Sequence, residues 1–312
     1  MKRIGIYIVI VVCILSCISS RRNLLTETRL MLVDTRATEH TAALFYNLRQ
    51  LTGKRVVYGQ HNYEMDGFDS DSTRWRDEAN RCDAYDVTGA YPALASFDFL
   101  HFTNPRSWET KELNYIQEKF HVAYNRGNVI TFCWHYYNPV TGGNFYDTTQ
   151  VVRHILPGGS YHATFKADLK IIADFAHNAK GDDGELIPII FRPWHEFDGN
   201  WFWWGKKNCT VQQYKALWQM TYDHFQEKGV RNVLFAYSPD ASPKNSFEYL
   251  ERYPGDEIID LIGVDIYQSN SQQYKADLER ELRILTEIGK EHQKPIALTE
   301  TGYETIPDPV WN

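Results

Sequence analysis

Apolar positions along this chain fall into two alternating rhythms. From Glu39 onward, stretches with apolar residues three or four positions apart give way, after a glycine, to short unbroken apolar runs. The first rhythm predicts amphipathic helices and the second buried strands, each strand ending in polar or aromatic side chains. A helix over 37–51 stops near Gly53 and leads to a strand over 55–58 that finishes at Gln60-His61. A second strand covers 91–99. Leu113, Ile116, Phe120 and Tyr124 stripe a helix over 109–126, Gly127 supplies a left-handed C-cap, and a strand over 128–133 ends in Trp134-His135. Phe165, Leu169, Ile172 and Phe175 mark the next helix, closed by Gly181 before a strand over 186–191. Thr210 and Gln213 form a capping box for a helix striped by Tyr214, Leu217, Trp218 and Phe225. Gly229 stops it ahead of a strand over 232–237. Two last strands, 261–266 and 295–299, flank a helix over 272–291 that carries Tyr274, Leu278, Leu282 and Leu285.

Repeated βα units with polar residues at every strand end predict an α/β fold, a (β/α)8 TIM barrel, with about seven of its strands in this chain. A doubly wound sheet is the alternative. No G-x-G-x-x-G follows any strand, and the polar ends are not confined to one switch point. Only twelve residues follow Glu300, too few for an eighth strand and its helix. The expectation is a barrel incomplete at its C-terminal side, and a chain that is a fragment, because an open barrel exposes unpaired strand edges.

Lys2 and Arg3 precede an apolar run over 4–15 that is short for a membrane span. Ile14-Leu15-Ser16-Cys17 resembles the lipobox of bacterial lipoproteins. This divides the chain into a lipoprotein-type signal peptide (1–17), a linker (18–36) and the barrel catalytic domain (37–312). The expected product is exported and held in the cell envelope of a Gram-negative bacterium by a lipid on Cys17, or secreted. The lack of acidic residues just after Cys17 favours the periplasm-facing side. A net charge of −7 without a Lys/Arg run argues against nucleic acid. Of the 5 cysteines, Cys82, Cys133 and Cys209 lie in the folded part without metal or disulfide spacing, and read as buried small apolar residues.

The apolar run over 186–191 breaks off in Arg192-Pro193-Trp194-His195-Glu196, with Trp201, Trp203 and Trp204 close behind. Such charges are costly to bury unless they pair or do chemistry, and indole faces suit the C–H faces of sugars. Glycoside hydrolysis needs two carboxyl groups flanking the scissile bond. Glu196 and Glu300 both end barrel strands, so one mouth holds both. Asp265 is a third acidic candidate, with hydrogen bonding as its simpler role.

Arg192-Pro193-Trp194-His195-Glu196, the continuation Gly199 to Gly205, and Leu298-Thr299-Glu300-Thr301-Gly302 resemble the signatures of glycoside hydrolase family 26, best known for endo-β-1,4-mannanases. Trp134-His135, the Ala236 to Pro239 stretch and the Gly263 to Tyr267 stretch extend the match. The resemblance implies a retaining enzyme with Glu196 as general acid/base and Glu300 as nucleophile. It also implies that His135, His195, Trp201 and Tyr267 line the reacting-sugar subsite, with Arg192 beside the nucleophile. Trp134, next to His135, joins the expected substrate-binding set. Family members continue through an eighth strand that adds an aromatic wall, absent from this sequence.

The expected protein is a monomer that cleaves internal β-1,4-mannosidic bonds of mannan, galactomannan or glucomannan, with no cofactor and no metal. Action on mixed-linkage β-glucan or β-1,3-xylan, or glycan binding without catalysis, are the alternatives. Weaker features read as structural: Asp66, Asp69 and Asp71 as a polar loop, Gly181 to Gly184 as a solvated turn, and His154, His162, His177 and His224 as surface or packing residues. Tyr136, Tyr137, Asn138, Phe102 and Trp108 are candidates to line the cleft.

Overall fold

The computed structural model describes residues 31–302 apart from 70, 72, 77, 79, 104–109 and 269. Seven strands form one sheet: β1 (Gly59–His61), β4 (Leu94–Asp98), β5 (Val129–Trp134), β6 (Ile189–Pro193), β7 (Val233–Tyr237), β8 (Leu261–Ile266) and β9 (Ile296–Thr301). They pair in parallel in this order. A separate antiparallel hairpin, β2 (Asp66–Phe68) with β3 (Arg74–Arg76), sits between β1 and β4. Helices α1 (Glu39–Leu51), α2 (Asp83–Thr88), α3 (Leu100–Thr103), α4 (Thr110–Arg126), α5 (Val152–Ile155), α6 (His162–Asn178), α7 (Val211–Glu227), α8 (Ser246–Leu250) and α9 (Ser271–Glu291) fill the intervals. Parallel neighbours require such crossovers. The expected seven-strand barrel wall is therefore present in the described residues; the expected signal segment and Cys17 lie outside them.

The sheet curls. In a flat sheet β6 and β9, three spacings apart, would lie roughly 14 Å from each other. Instead the Arg192 guanidinium on β6 donates a hydrogen bond to the Glu300 carboxylate on β9.

Side chains along each strand alternate between the helices and the barrel axis. Phe97, Phe132, Phe191, Phe235, Ile262 and Val264 face outward into one large apolar cluster with the helices. On the inner face, Ile190, Leu234, Ala236 and Leu261 join Leu32, Ala37, Ala42 and Phe45 in a second cluster. Helix α1 thus closes the N-terminal end of the curl. Its start is fixed by Thr38, whose hydroxyl accepts from the Thr41 N–H. One turn further along the same strands, the inner face changes to Asp98, His135, Arg192, Ser238 and Asp265. The apolar floor and polar mouth share one set of strands.

The edges of several elements differ from expectation. The first strand begins at Gly59 and not at residue 55, and Val56 and Tyr58 are exposed. The strand before Arg192 begins at Ile189, because Leu186 pairs with Lys180 in an isolated antiparallel bridge. The capping box of α7 forms as expected, Thr210 accepting from the Gln213 N–H and Gln213 from the Thr210 N–H. Cys82, Cys133 and Cys209 are buried free thiols. Asp66 and Asp69 pair with Arg74 and Arg81, and the Asp71 carboxylate accepts from the Thr73 N–H, so this stretch is an ion-paired loop.

Candidate active site

The acid candidate sits on a strained turn. Trp194 and Glu196 both adopt positive φ, 55° and 51°. A left-handed backbone at a bulky side chain costs roughly 1–3 kcal/mol and persists only where surroundings enforce it. Here every residue of the turn is clamped. The Tyr214 hydroxyl donates to Trp194 O at 2.7 Å, the Trp204 indole to His195 O at 2.7 Å, and the Glu196 N–H to Ser238 O at 2.9 Å. The Trp194 indole donates to the Thr221 hydroxyl at 3.2 Å. Gly199 completes the turn by omission: a Cβ there would lie 2.4 Å from the Trp201 ring. Trp201 can therefore fold back and donate its indole N–H to the Glu196 carboxylate at 2.8 Å.

Glu300 is delivered by a different device. A register shift between Val264 and Asp265 sets Asp265 opposite Glu300 instead of Thr299. Thr299 still faces Gly263, where a Cβ would come within 2.5 Å of its methyl. Beyond the irregularity Thr301 has turned outward to meet the Tyr274 hydroxyl of α9 at 2.6 Å. The bulge re-aims the strand so that Glu300 points into the mouth.

One carboxylate oxygen from each of Glu196, Asp265 and Glu300 lies within 4.8 Å of the other two. Arg192 is the cation that makes this tolerable. Its guanidinium donates to Asp265 at 2.7 Å, to the Ser238 hydroxyl at 3.0 Å and to Glu300. A planar fork presents several donors in fixed directions, so one guanidinium reaches both carboxylates and the hydroxyl at once. The Tyr267 hydroxyl donates to the other Glu300 oxygen at 2.8 Å. Glu300 is thus supplied with donors on both oxygens. Glu196 has the opposite surroundings. Burial first, and then the Asp265 charge, push its carboxyl up to about 7, with the Trp201 hydrogen bond and Arg192 opposing. Asp265 is the leading acidic neighbour that raises it, with Asp240 adding to the effect.

A second polar file lies beside these groups. His135 Nδ1 is 2.7 Å from Asp98 Oδ2, and its Nε2 is 3.1 Å from His195 Nε2. A carboxylate only accepts, so Nδ1 of His135 carries the proton. One of the two Nε2 atoms carries the proton that lies between the rings. Burial, with the nearby Arg192 and His135 charges, holds His195 well below the usual histidine range. Asp98 is also fixed by the N–H groups of Leu100 and His135 at 2.8 and 3.1 Å. Despite burial, the His135 charge and hydrogen bond keep its carboxyl well below the usual range.

The expected site residues separate into three groups. Glu196, Glu300, His135, Arg192, Trp201 and Tyr267 converge on the mouth, where Trp201 and Tyr267 are 39% and 51% exposed. His195 is fully buried and reaches the mouth only through His135. Trp134 does not reach it. Since His135 faces inward on β5, Trp134 faces the helices: it is fully buried, packs on Tyr136 and Phe165, and donates to the Thr103 hydroxyl. The expectation that Trp134 binds substrate is therefore corrected. Tyr136 and Asn138 are likewise buried, whereas Tyr137 is half-buried. Phe102 packs on Phe99 and Phe175, and Trp108 lies outside the described residues.

Asp98 and Ser238 were not singled out for roles, nor was His61, whose Nδ1 lies 3.0 Å from the Ser96 hydroxyl. The usable signal was parity: each occupies an inward position at a strand end. A cavity of about 300 Å³ lined by Phe102, Tyr137 and Asp168 lies toward α6, and none of the mouth carboxylates lines it.

Residues 33–308 match the profile of Glycosyl hydrolase family 26. A mannan endo-1,4-beta-mannosidase of Bifidobacterium adolescentis is 35% identical over 282 residues, covering 86% of this chain and 27% of the relative. The chain thus spans only about a quarter of that relative's length. Among solved structures, a GH26 beta-mannanase from Bacteroides ovatus superposes with a TM-score of 0.82 at 44% identity, covering 88% of this chain and 79% of the other. GH26C from Muricauda sp. MAR_2010_75 gives a TM-score of 0.84 at 38% identity, over 89% and 77% of the two chains. These neighbours confirm the (β/α)8 class for a sheet that curls around two strand-end glutamates. A match that runs nearly the length of the described residues makes this chain a member of glycosyl hydrolase family 26.

Proposed function

We propose that this protein is a retaining endo-β-1,4-mannanase in which Glu196 is the general acid/base and Glu300 the nucleophile. The observation that carries the reading is the pair of carboxylates with oxygens within 4.8 Å of each other and opposite surroundings. So short an oxygen–oxygen approach is closer to the roughly 5–5.5 Å carboxyl separation of retaining enzymes than to the roughly 6.5–9.5 Å of inverting ones. Glu196, pushed up to about 7, holds a proton for the leaving oxygen near neutrality. Glu300, held by Arg192 and Tyr267, attacks the anomeric carbon. The covalent glycosyl ester that forms is released by water deprotonated by Glu196. The names of the related proteins favour mannan over other β-glycans.

The test is reducing-sugar release from galactomannan, glucomannan, mixed-linkage β-glucan and β-1,3-xylan, with NMR of the first product formed from the preferred substrate. Cleavage of the mannans with the β anomer appearing first is expected. Early α anomer would overturn retention, and cleavage of another glycan alone would overturn the substrate. No helix of the described residues is long and apolar enough to cross a membrane. We place any envelope attachment on a lipid at Cys17, supported by the sequence of residues 1–17; a Cys17→Ser chain that stays in the membrane fraction would refute it.

A further inference from the structure

On the β1 side of the mouth, the inner faces of β1, β4 and β5 gather a group with a composition of its own. His61 ends β1, Asp98 ends β4, and Cys133 is the last residue but one of β5. Register sets His61 beside Ser96, and Asp98 beside Cys133. Ser96 and Asp98 are two positions apart, and a step of two keeps to one face of a strand. All four side chains therefore share the inside of the curl.

One donor atom from each of His61, Asp98 and Cys133 lies within 4.8 Å of the other two. A nitrogen, an oxygen and a sulfur thus converge from three strands. In a tetrahedral zinc site, bonds of roughly 2.0–2.3 Å place the donor atoms roughly 3.5 Å apart. Closing the three around one ion takes side-chain rotation and leaves the strands where they are. Spacing along the chain hides such a group, because no two of its members are near neighbours in sequence.

The fold positions each donor. The Ser96 hydroxyl lies 3.0 Å from His61 Nδ1 and fixes the ring, as partners of metal-binding histidines do. The N–H groups of Leu100 and His135 hold Asp98 Oδ1. The Cys133 thiol has only weak partners, Phe97 O at 3.7 Å and His135 Nδ1 at 3.8 Å. A buried thiol is ordinarily a small apolar residue. Cys133 differs in its surroundings, since its register partners are Asp98 and Arg192 and not core side chains. His61 is exposed while Asp98 and Cys133 are buried, so an ion can enter past the imidazole.

The donor set selects the ion. Sulfur and imidazole nitrogen suit Zn²⁺ and its analogues, whereas Mg²⁺ and Ca²⁺ take oxygen donors. Charge also balances. A thiolate and a carboxylate neutralise a divalent cation, and the nearby Arg192 is already matched by Asp265 and Glu300. Burial pushes the Cys133 thiol up, so the sulfur keeps its proton until the ion arrives. The metal–sulfur bond then forms as that proton leaves to solvent.

We propose that His61, Asp98 and Cys133 form a binding site for a zinc-class divalent cation, with water completing its coordination. Hydrolysis by two carboxyls does not call on this ion, and the site rests on no assumption about the sugar.

The experiment titrates the full chain, reduced and stripped of metal, with Cd²⁺, following the ultraviolet charge-transfer band of a cadmium–thiolate bond. The parent, Cys133→Ser and His61→Gln are compared, with circular dichroism to confirm that each is folded. The parent is expected to show a tight phase of one ion per chain, absent from Cys133→Ser and about tenfold weaker in His61→Gln. Zn²⁺ should displace Cd²⁺ from that phase, and a large excess of Mg²⁺ or Ca²⁺ should not. A parent without a tight phase overturns the site, as does a tight phase that survives in Cys133→Ser. His61→Gln changes an exposed side chain and decides the matter even if Cys133→Ser fails to fold. Binding as tight as the parent's would show a thiol acting without the imidazole, and the three-residue site would be wrong. Displacement by Mg²⁺ or Ca²⁺ would overturn the class of ion.

Discussion

The chemistry proposed for the mouth depends on keeping one carboxyl protonated beside another that is ionised. Burial does most of this at Glu196, and the Trp201 indole works against it by donating to the ionised form. Removing that donor therefore disfavours the carboxylate and raises its pKa further. Trp201→Phe is expected to move the alkaline limb of kcat/KM, which reports the free enzyme, to higher pH. Activity on mannan should also fall, about tenfold, because the carboxyl loses its orienting partner. A limb that moved down, or stayed where it was, would show that the indole does not hold the ionised carboxyl.

At the scale of elements, helices were legible and strand edges were not. The stripes on α4, α6, α7 and α9 follow from the 3.6-residue period, and few competing arrangements bury them. A strand begins where its neighbour's hydrogen bonds begin, which is a property of the pair. Leu186 and Ile187 therefore read as strand residues although one bridges Lys180 and the other bonds Ala179 O. The glutamates were legible because both end apolar runs. Trp134 misled because its identity, an aromatic beside His135, was weighed above its parity. Applied consistently, parity would have placed Asp98 and His61 inward as well. The bulge that turns Glu300 into the mouth leaves no mark on β9 itself. Its cause is the clash-free space at Gly263 and the partner Tyr274 on α9, both distant in sequence.

Over the whole molecule, the same burial that serves the mouth leaves a signature in stability against pH. Burial pushes Glu196, Asp198 and Glu281 up to about 7, and Asp240 and Asp260 up to about 6. For each, the native state binds a proton more tightly than the unfolded chain. The stability they contribute is complete below the unfolded carboxylate range, near pH 4, and is lost as pH rises through 6 and 7. Histidines work in the other direction. Burial lowers His101, His195 and His224, so the native state gains as pH rises toward 6.5 and gains nothing more above it. Asp98, held low chiefly by His135 against its burial, has given its full contribution well below that pH. Between pH 4.5 and 6.5 the carboxyls and histidines therefore oppose each other. From 6.5 to 8 the loss at Glu196, Asp198 and Glu281 runs unopposed by either group. Scanning calorimetry is expected to show a thermal midpoint that falls by several degrees across that upper window, a shift of the size that about 1–2 kcal/mol produces. Glu281→Gln, which replaces a buried carboxyl on α9 paired with Arg280 and in contact with none of the mouth carboxylates, should flatten part of the fall without moving the pH profile of activity. A midpoint that holds steady or rises between pH 6.5 and 8 would mean that these carboxyls are ionised in the folded protein, and that Glu196 has no proton to give at neutral pH.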